Sequence, residues 1–264
     1  MSGPPPGPIL FVRGGALGDF VLTLPVLAAC FASGRRVDVA CAPRFLPLVH
    51  LVGRPGYAWD VDGAESAWMF GGADPVGYGL AVRFAASRAE LPVPLHLHVA
   101  ARPPSGVRAG DHFGSVWPAA WGAVDPALRV SAPPVRPGRP VVLAPGASDP
   151  RRSWPLDRWL GLRDRLARRF EVVLVGGPLE PWADYRPELP ELIGLAAAAG
   201  AWIGPDSGPT HLAARLGAPT LAVWGPTDPA WAPVGATVLA ATVDDATVVA
   251  WVEHAATGAA PRPR

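Results

Sequence analysis

The stretch Ala201-Trp-Ile-Gly-Pro-Asp-Ser-Gly-Pro-Thr-His-Leu-Ala-Ala-Arg-Leu-Gly-Ala-Pro-Thr-Leu-Ala-Val-Trp224 reads as strand, turn, helix and strand. Residues 201–203 form a short apolar run, 210–216 a helix and 220–224 a second apolar run. Between them, Gly204 to His211 crowds glycine, proline, carboxylate, hydroxyl and imidazole groups into one turn. In an otherwise apolar segment, that is where chemistry is expected.

The same alternation extends in both directions. Upstream, 141–144 reads as a strand, 155–170 as a helix, 171–175 as a strand and 191–199 as a helix. Downstream, Asp244 or Asp245 can cap a last helix with Val248, Val249 and Val252 on one face. In the first half, 9–12 is an apolar strand and 14–19 a glycine-rich turn. Residues 20–32 read as a helix closed by Gly34, and 37–40 as a strand. Pro43 opens a second helix, and 57–61 and 80–84 are weaker strand candidates. Residues 91–129 carry six Pro and no clear period, so no element is assigned there. Residues 131–140 hold four Pro and read as a linker, and residues 1–8 as a disordered leader. Strand–helix alternation argues for parallel sheets with helices on both faces. The expectation is an α/β chain of two Rossmann-like domains facing across a cleft, residues 1–135 and 136–264.

Half of the 264 residues are hydrophobic and 17% are charged, enough apolar surface for a sizeable core. The net charge of +1 gives no electrostatic case for nucleic acid, and none is expected as a partner. Every basic residue is Arg; Lys, Asn and Gln are absent. Cys30 and Cys41 are too few for a disulfide framework and match no metal spacing, so they read as buried free thiols. No run reaches the length of a spanning helix. The apolar run after Arg13, ending Leu27-Ala-Ala-Cys30, also resembles a lipoprotein cleavage site, but Asp19 and the strand-like run before Arg13 argue against a signal peptide.

Three loops at expected strand ends hold the polar residues. In the first, Arg13-Gly-Gly-Ala-Leu-Gly18-Asp19, the glycines allow close approach of a ligand and the helix behind presents free N–H groups. It is not the dinucleotide fingerprint, because Arg13 stands where a glycine is needed and Asp38 lies inside its strand. Asp19 has two open readings, a carboxylate that suits the helix dipole and a catalytic base. In the second loop, 144–155, Ser148, Arg151 and Arg152 precede a helix start and form a candidate anion seat. In the third, amides at 207–210 could hold a phosphate; His211, taken alone, reads as a helix-face histidine with a satisfied hydrogen bond rather than a ligand.

Taken together, these loops resemble glycosyltransferase family 9, the heptosyltransferase family. Arg13-x4-Gly18-Asp19-x3-Thr23-x-Pro25 is similar to its opening motif, and Pro145-Gly-Ala-Ser148 with Arg152-x-Trp154-Pro155 to its second. Val175-Gly-Gly-Pro-x-Glu180 resembles the third, and Asp206-Ser-Gly-Pro-Thr-His211 with Gly225-Pro-Thr227 the fourth. Two departures stand out: Arg152 occupies the place of the family's usual Lys, and the N-terminal domain is shortened in 91–129, where acceptor contacts would lie.

The resemblance implies a GT-B-like architecture and inverting transfer of a heptose-like sugar from a nucleotide-diphosphate donor, with no cofactor and no metal. The acceptor would be a cell-envelope glycan or a lipid-linked one. Asp19 would be the catalytic base. Ser148, Arg152, Asp206, Ser207, Gly208, Thr210 and His211 would form the donor diphosphate site, Glu180 would hold the ribose, and Arg13 and Gly18 would lie on the acceptor side. The expected location is cytoplasmic, with at most peripheral contact at the inner face of the membrane. Two alternatives remain: a non-catalytic nucleotide-sugar-binding protein with an eroded acceptor domain, and a related epimerase that works on the donor alone.

Overall fold

A computed structural model describes residues 3–86, 91–134, 138–178 and 180–256. The chain divides into two compact units, Met1–Leu128 and Arg129–Arg264. The boundary expected at 135/136 falls at residues 135–137, outside the described residues, as does the middle of the expected linker.

The first unit runs β1 (Ile9–Arg13), α1 (Leu17–Ala32), β2 (Val37–Cys41) and a 3-10 turn (Pro43–Phe45) leading into α2 (Leu46–Val49). It continues with β3 (Ala58–Asp60), a 3-10 segment (Ala64–Phe70), β4 (Leu80–Ala85), β5 (His96–Ala100) and α3 (Ala109–Gly114). The strands form one sheet in the order β3-β2-β1-β4-β5, every pair parallel. Ile9, Leu10 and Phe11 are wholly buried, as a central parallel strand covered on both faces requires. Phe20, Leu24, Leu27 and Cys30 of α1 are equally buried. The segment with a lipoprotein-like end is therefore part of this unit's core. Burial pushes both thiols up, Cys41 to about 12. After α1, Gly34 takes a φ of +71°, a left-handed conformation that side chains disfavour.

Asp38, which lies inside β2 as expected, is fully buried. Arg36 donates to both of its oxygens at 2.9 and 2.8 Å, and the Tyr78 hydroxyl donates to Oδ2 at 2.7 Å. Trp59 Nε1 donates in turn to the Tyr78 oxygen at 2.8 Å. Burial raises the Tyr78 phenol, so it stays a donor. This network ties β2 and β3 to the segment that leads into β4.

One expectation is corrected in this unit, and one unassigned stretch gains its elements. The leader is not loose where it is described: Gly79 N–H donates to Pro8 O at 3.0 Å and Arg35 donates to Pro4 O at 3.4 Å. A Cβ on Gly79 would lie 1.9 Å from Pro6 O, so the close approach depends on that glycine. Residues 91–129, which gave no pattern, contain β5, α3 and a 3-10 turn at Ala119–Trp121.

The second unit runs β6 (Val141–Leu143), a 3-10 turn (Pro150–Arg152), α4 (Leu156–Leu166), β7 (Val172–Leu174), α5 (Leu189–Ala198) and β8 (Ala201–Gly204). It ends with α6 (Gly208–Arg215), β9 (Thr220–Trp224), a 3-10 turn (Pro229–Trp231), β10 (Thr237–Ala240) and α7 (Asp245–Ala256). Its sheet is again all parallel, in the order β10-β9-β8-β6-β7. Val141, Leu143, Leu174, Ile203, Leu221 and Val223 pack with Trp159, Leu162 and Leu166 of α4 and Val248 and Val252 of α7. Asp244 is the residue that caps α7, accepting from Thr247 N–H at 2.7 Å. Trp154 Nε1 donates to Ala241 O at 2.6 Å, and the Arg158 guanidinium lies 3.7 Å over the Trp154 ring while pairing with Asp245.

In each sheet the strand order reverses once, between β1 and β4 and between β6 and β8. Ligands of open α/β sheets bind beyond the strand ends at such points. All three polar loops start from strands at these two places. No helix among the described residues is long and apolar enough to cross a membrane.

Candidate functional site

In the second unit, β6 and β8 are direct neighbours, so the loops that leave them start side by side. Gly204 is what lets α6 begin so close to the sheet. A Cβ there would lie 2.3 Å from Thr210 Oγ1 and 3.1 Å from Ala144 O. Ser207 precedes the helix in an extended conformation, and its hydroxyl meets that of Thr210 at 3.1 Å. His211 N–H returns to Ser207 O, which closes the first turn. The N–H groups of Gly208 and Thr210 sit in that turn, where no helical carbonyl precedes them, and Pro209 has no N–H to satisfy. With the positive end of the helix dipole behind them, these amides are suited to an anion.

Asp206 is the hub of the site. Its Oδ2 lies 3.1 Å from Arg152 Nη1 and accepts from Thr227 Oγ1 at 2.8 Å; its Oδ1 lies 3.4 Å from His211 Nε2. Asp206, Thr210 and His211 are all buried. Burial alone would raise the Asp206 carboxyl. The bonds from His211 and Thr227 and the Arg152 charge outweigh it and hold the carboxyl below its ordinary value. Asp206 thus fixes Arg152 from one side, while about a third of the Arg152 side chain, 35%, stays exposed. Thr227 was legible only as part of Gly225-Pro-Thr227; its contact with Asp206 comes from the β9 loop folding over 151–152, where a Cβ on Gly225 would meet Arg151 O at 3.4 Å.

The two guanidinium groups of the candidate anion seat are not equivalent. Arg151 is paired with Asp149, its Nε 3.0 Å from Oδ1 and its Nη2 2.7 Å from Oδ2. That hydrogen bonding takes the partly exposed Asp149 carboxyl down to about 2. Only Arg152 is joined to Asp206. Ser148 is exposed on the same loop, whose path is fixed by Ser153 Oγ donating to Pro145 O at 2.8 Å.

Glu180 lies beyond β7. Its carboxylate accepts from Gly177 N–H. A Cβ on Gly146 would come within 3.1 and 3.2 Å of its two oxygens, so the carboxylate lies across the start of the β6 loop. An acceptor-only group at that position suits paired hydroxyls.

In the first unit, the loop after β1 turns at Gly15, with a φ of +98°, and enters α1. Asp19, in the first turn, accepts from Ala16 N–H through Oδ2 at 3.3 Å, and its Oδ1 lies 3.4 Å from Arg13 Nη2. Asp19 is therefore a helix-capping carboxylate whose side chain is 36% exposed, and this geometry leaves both of its readings open. Gly18 sits beside it in the same turn. Arg13 is buried, with Nη1 donating to Phe84 O at 3.4 Å and its guanidinium 5.8 and 5.4 Å from the Phe84 and Phe113 ring centres. Those two aromatic partners come from β4 and α3 and were not identified in the sequence; α3 lay in the stretch without a pattern. Burial lowers the Arg13 guanidinium and the Asp19 charge only partly restores it. Among the described residues, no group of three or more His, Cys, Asp or Glu is arranged to hold a metal ion.

The family model of glycosyltransferase family 9 (heptosyltransferase) matches residues 186–250, which include the Asp206–His211 and Gly225–Thr227 motifs. No curated protein matches the chain. Among solved structures, a glycosyl transferase family 9 protein from Veillonella parvula superposes with a TM-score of 0.79 at 15% identity, covering 98% of this chain and 99% of that one. The E. coli ADP-heptose lipopolysaccharide heptosyltransferase II gives 0.72 at 16% identity, covering 95% and 98%. E. coli heptosyltransferase WaaC with ADP-2-deoxy-2-fluoro heptose gives 0.69 at 16% identity, covering 94% and 99%. At these identities the likeness shows the fold, which is the GT-B-like α/β architecture expected from the motifs. The family match and the heptosyltransferase neighbours agree with the family resemblance.

Proposed function

We propose that this chain, a GT-B-like fold whose residues 186–250 match the glycosyltransferase family 9 model, transfers a heptose-like sugar with inversion from a nucleotide-diphosphate donor to a cell-envelope glycan or lipid-linked acceptor. The observation that carries the reading is the Arg152–Asp206 pair beside the first turn of α6. A cation held by a buried carboxylate, next to free helix amides, is a preorganised seat for a diphosphate. The seat matters most when negative charge grows on the departing diphosphate, because its dipoles need no reorganisation at that moment. Ser148 and the Ser207–Thr210 turn complete it, His211 supports Asp206, and Glu180 takes the ribose hydroxyls.

Asp19 is the base in this reading. It removes the proton of the acceptor hydroxyl as that oxygen attacks the anomeric carbon. The charge on the leaving group is met by Arg152 and the α6 amides rather than by a metal. The reaction belongs in the cytoplasm, where nucleotide-diphosphate sugars are made, with peripheral contact at the membrane when the acceptor is lipid-linked. A thermal-shift comparison of ADP-heptose with uridine-diphosphate sugars tests the donor, since a ligand that binds only the folded state raises the melting temperature. Asp19→Ala is expected to abolish turnover and leave that shift nearly intact. A non-catalytic binder would show the shift with no turnover in the unaltered chain.

A further inference from the structure

Arg13 is a costly residue to bury. Its side chain is 4% exposed, and its Nε has no hydrogen-bond partner among the described residues. A buried donor on a charged group left without a partner destabilises a fold, and an apolar side chain of similar length would pack between Phe84 and Phe113 without that loss. The rest of β1 is Ile, Leu, Phe and Val. Strand formation gives no reason for a cation here.

What the guanidinium gains is Asp19. One end, Nη1, is tied to Phe84 O, and the Phe84 and Phe113 rings restrict how the plane can turn. The other end, Nη2, reaches Asp19 Oδ1, while Ala16 N–H holds Oδ2. The carboxylate is gripped at both oxygens yet remains partly exposed.

We propose that Arg13 is the positioning residue of Asp19, an immobilised cation that keeps the carboxylate in a single orientation before an acceptor hydroxyl arrives. This rests on the reading of Asp19 as the base. In that step the hydroxyl oxygen bonds to the anomeric carbon and its proton passes to an Asp19 oxygen. The bond from the anomeric carbon to the diphosphate oxygen breaks, and its electron pair leaves with the nucleoside diphosphate. Arg13, buried behind the carboxylate, acts only through Asp19, so its loss lowers kcat and spares donor binding.

The test uses the full chain as Arg13→Met, Arg13→Lys, Asp19→Asn and the Arg13→Met/Asp19→Asn pair. The readout is ADP release from ADP-heptose with water as the acceptor, and thermal melts check folding. Arg13→Met is expected to lower kcat by roughly tenfold or more, part of the factor a positioned base supplies, with donor KM held within about threefold. The double variant is expected to be no slower than Asp19→Asn alone. Arg13→Lys keeps the charge without the planar fork and is expected to restore part of kcat. If Arg13→Met keeps the wild-type kcat while Asp19→Asn is inactive, the positioning role is overturned and the base assignment stands. If Asp19→Asn turns over normally, the base assignment fails and the proposal with it. Should Arg13→Met not fold, Arg13→Gln decides, since it removes the charge and keeps a polar side chain: a wild-type kcat in that variant overturns the proposal.

Discussion

Arg152 and Asp206 meet at 3.1 Å, and that contact joins the loop after β6 to the loop after β8. Neither residue is held by its own element. The carboxylate is buried at the end of a central strand and the guanidinium reaches it from a 3-10 turn, so the pair exists only because β6 and β8 are neighbours. Thr227 brings a third loop, after β9, to the same carboxylate oxygen.

The first consequence concerns donor affinity. A charge-assisted hydrogen bond to phosphate contributes about 1.5–3 kcal/mol, so Arg152→Ala is expected to weaken ADP-heptose binding by roughly tenfold or more. Arg152→Lys recovers part, keeping the charge but losing the fork. Isothermal titration calorimetry on both variants reads this directly, and an unchanged Kd in the alanine variant removes Arg152 from the donor site.

Stability should depend on pH through Asp206. Its folded carboxyl lies below the ordinary value of 3.8, so folding favours the ionised form. The stabilisation is fully present above about pH 4 and is lost as pH falls through the lower folded value. Urea titrations between neutral pH and pH 3 should show a smaller acid-side loss in Asp206→Asn, from a lower starting stability. A variant with the same acid-side slope as the parent would assign the loss to other carboxylates.

Gly204 makes a steric prediction. The alanine methyl would meet Thr210 Oγ1 at 2.3 Å, so Gly204→Ala must move the start of α6. Overpacking of this kind costs about 1–3 kcal/mol. Adding Thr210→Ala removes the blocking hydroxyl and should recover part of that loss in chemical denaturation. If the double variant is simply the sum of two destabilising changes, the contact is not what limits the site.

Chelation addresses the phosphate charge. With neutralisation assigned to Arg152 and the α6 amides, extended dialysis against EDTA is expected to leave ADP release from ADP-heptose unchanged. A loss of turnover that an added divalent cation restores would replace that assignment with a metal.

Much of the fold was legible because its central strands are continuous apolar runs. β1, β6, β8 and β9 are buried along their whole lengths, which leaves little for tertiary context to alter. β5 and β10 were not identified, and both are edge strands with a partner on one side only. β10 is largely exposed and β5 carries His96 and His98 among its five residues, so neither shows a buried-strand pattern. The leader was misread for a related reason: a Pro-Gly composition predicts disorder, but the described part is held through backbone atoms, to which composition is blind.

The candidate site was legible as loops, not as contacts. Read from the loop alone, Arg151 and Arg152 are equivalent and only the family resemblance singles out Arg152; the fold sends Arg151 to its near neighbour Asp149 and Arg152 to Asp206. Likewise, Asp19 could be read as a helix-dipole acid or as a base, and the buried cation behind it was not visible as such in Arg13.

Local pattern therefore sufficed for the alternation of strands and helices, the turns that need glycine, and the places where polar residues gather, because each depends on neighbours a few positions away. Which carboxylate meets which guanidinium was settled by strand order. Residues remote in the chain become partners only when the sheet sets their loops next to each other, and the energy of burying a charge then depends on who else is there.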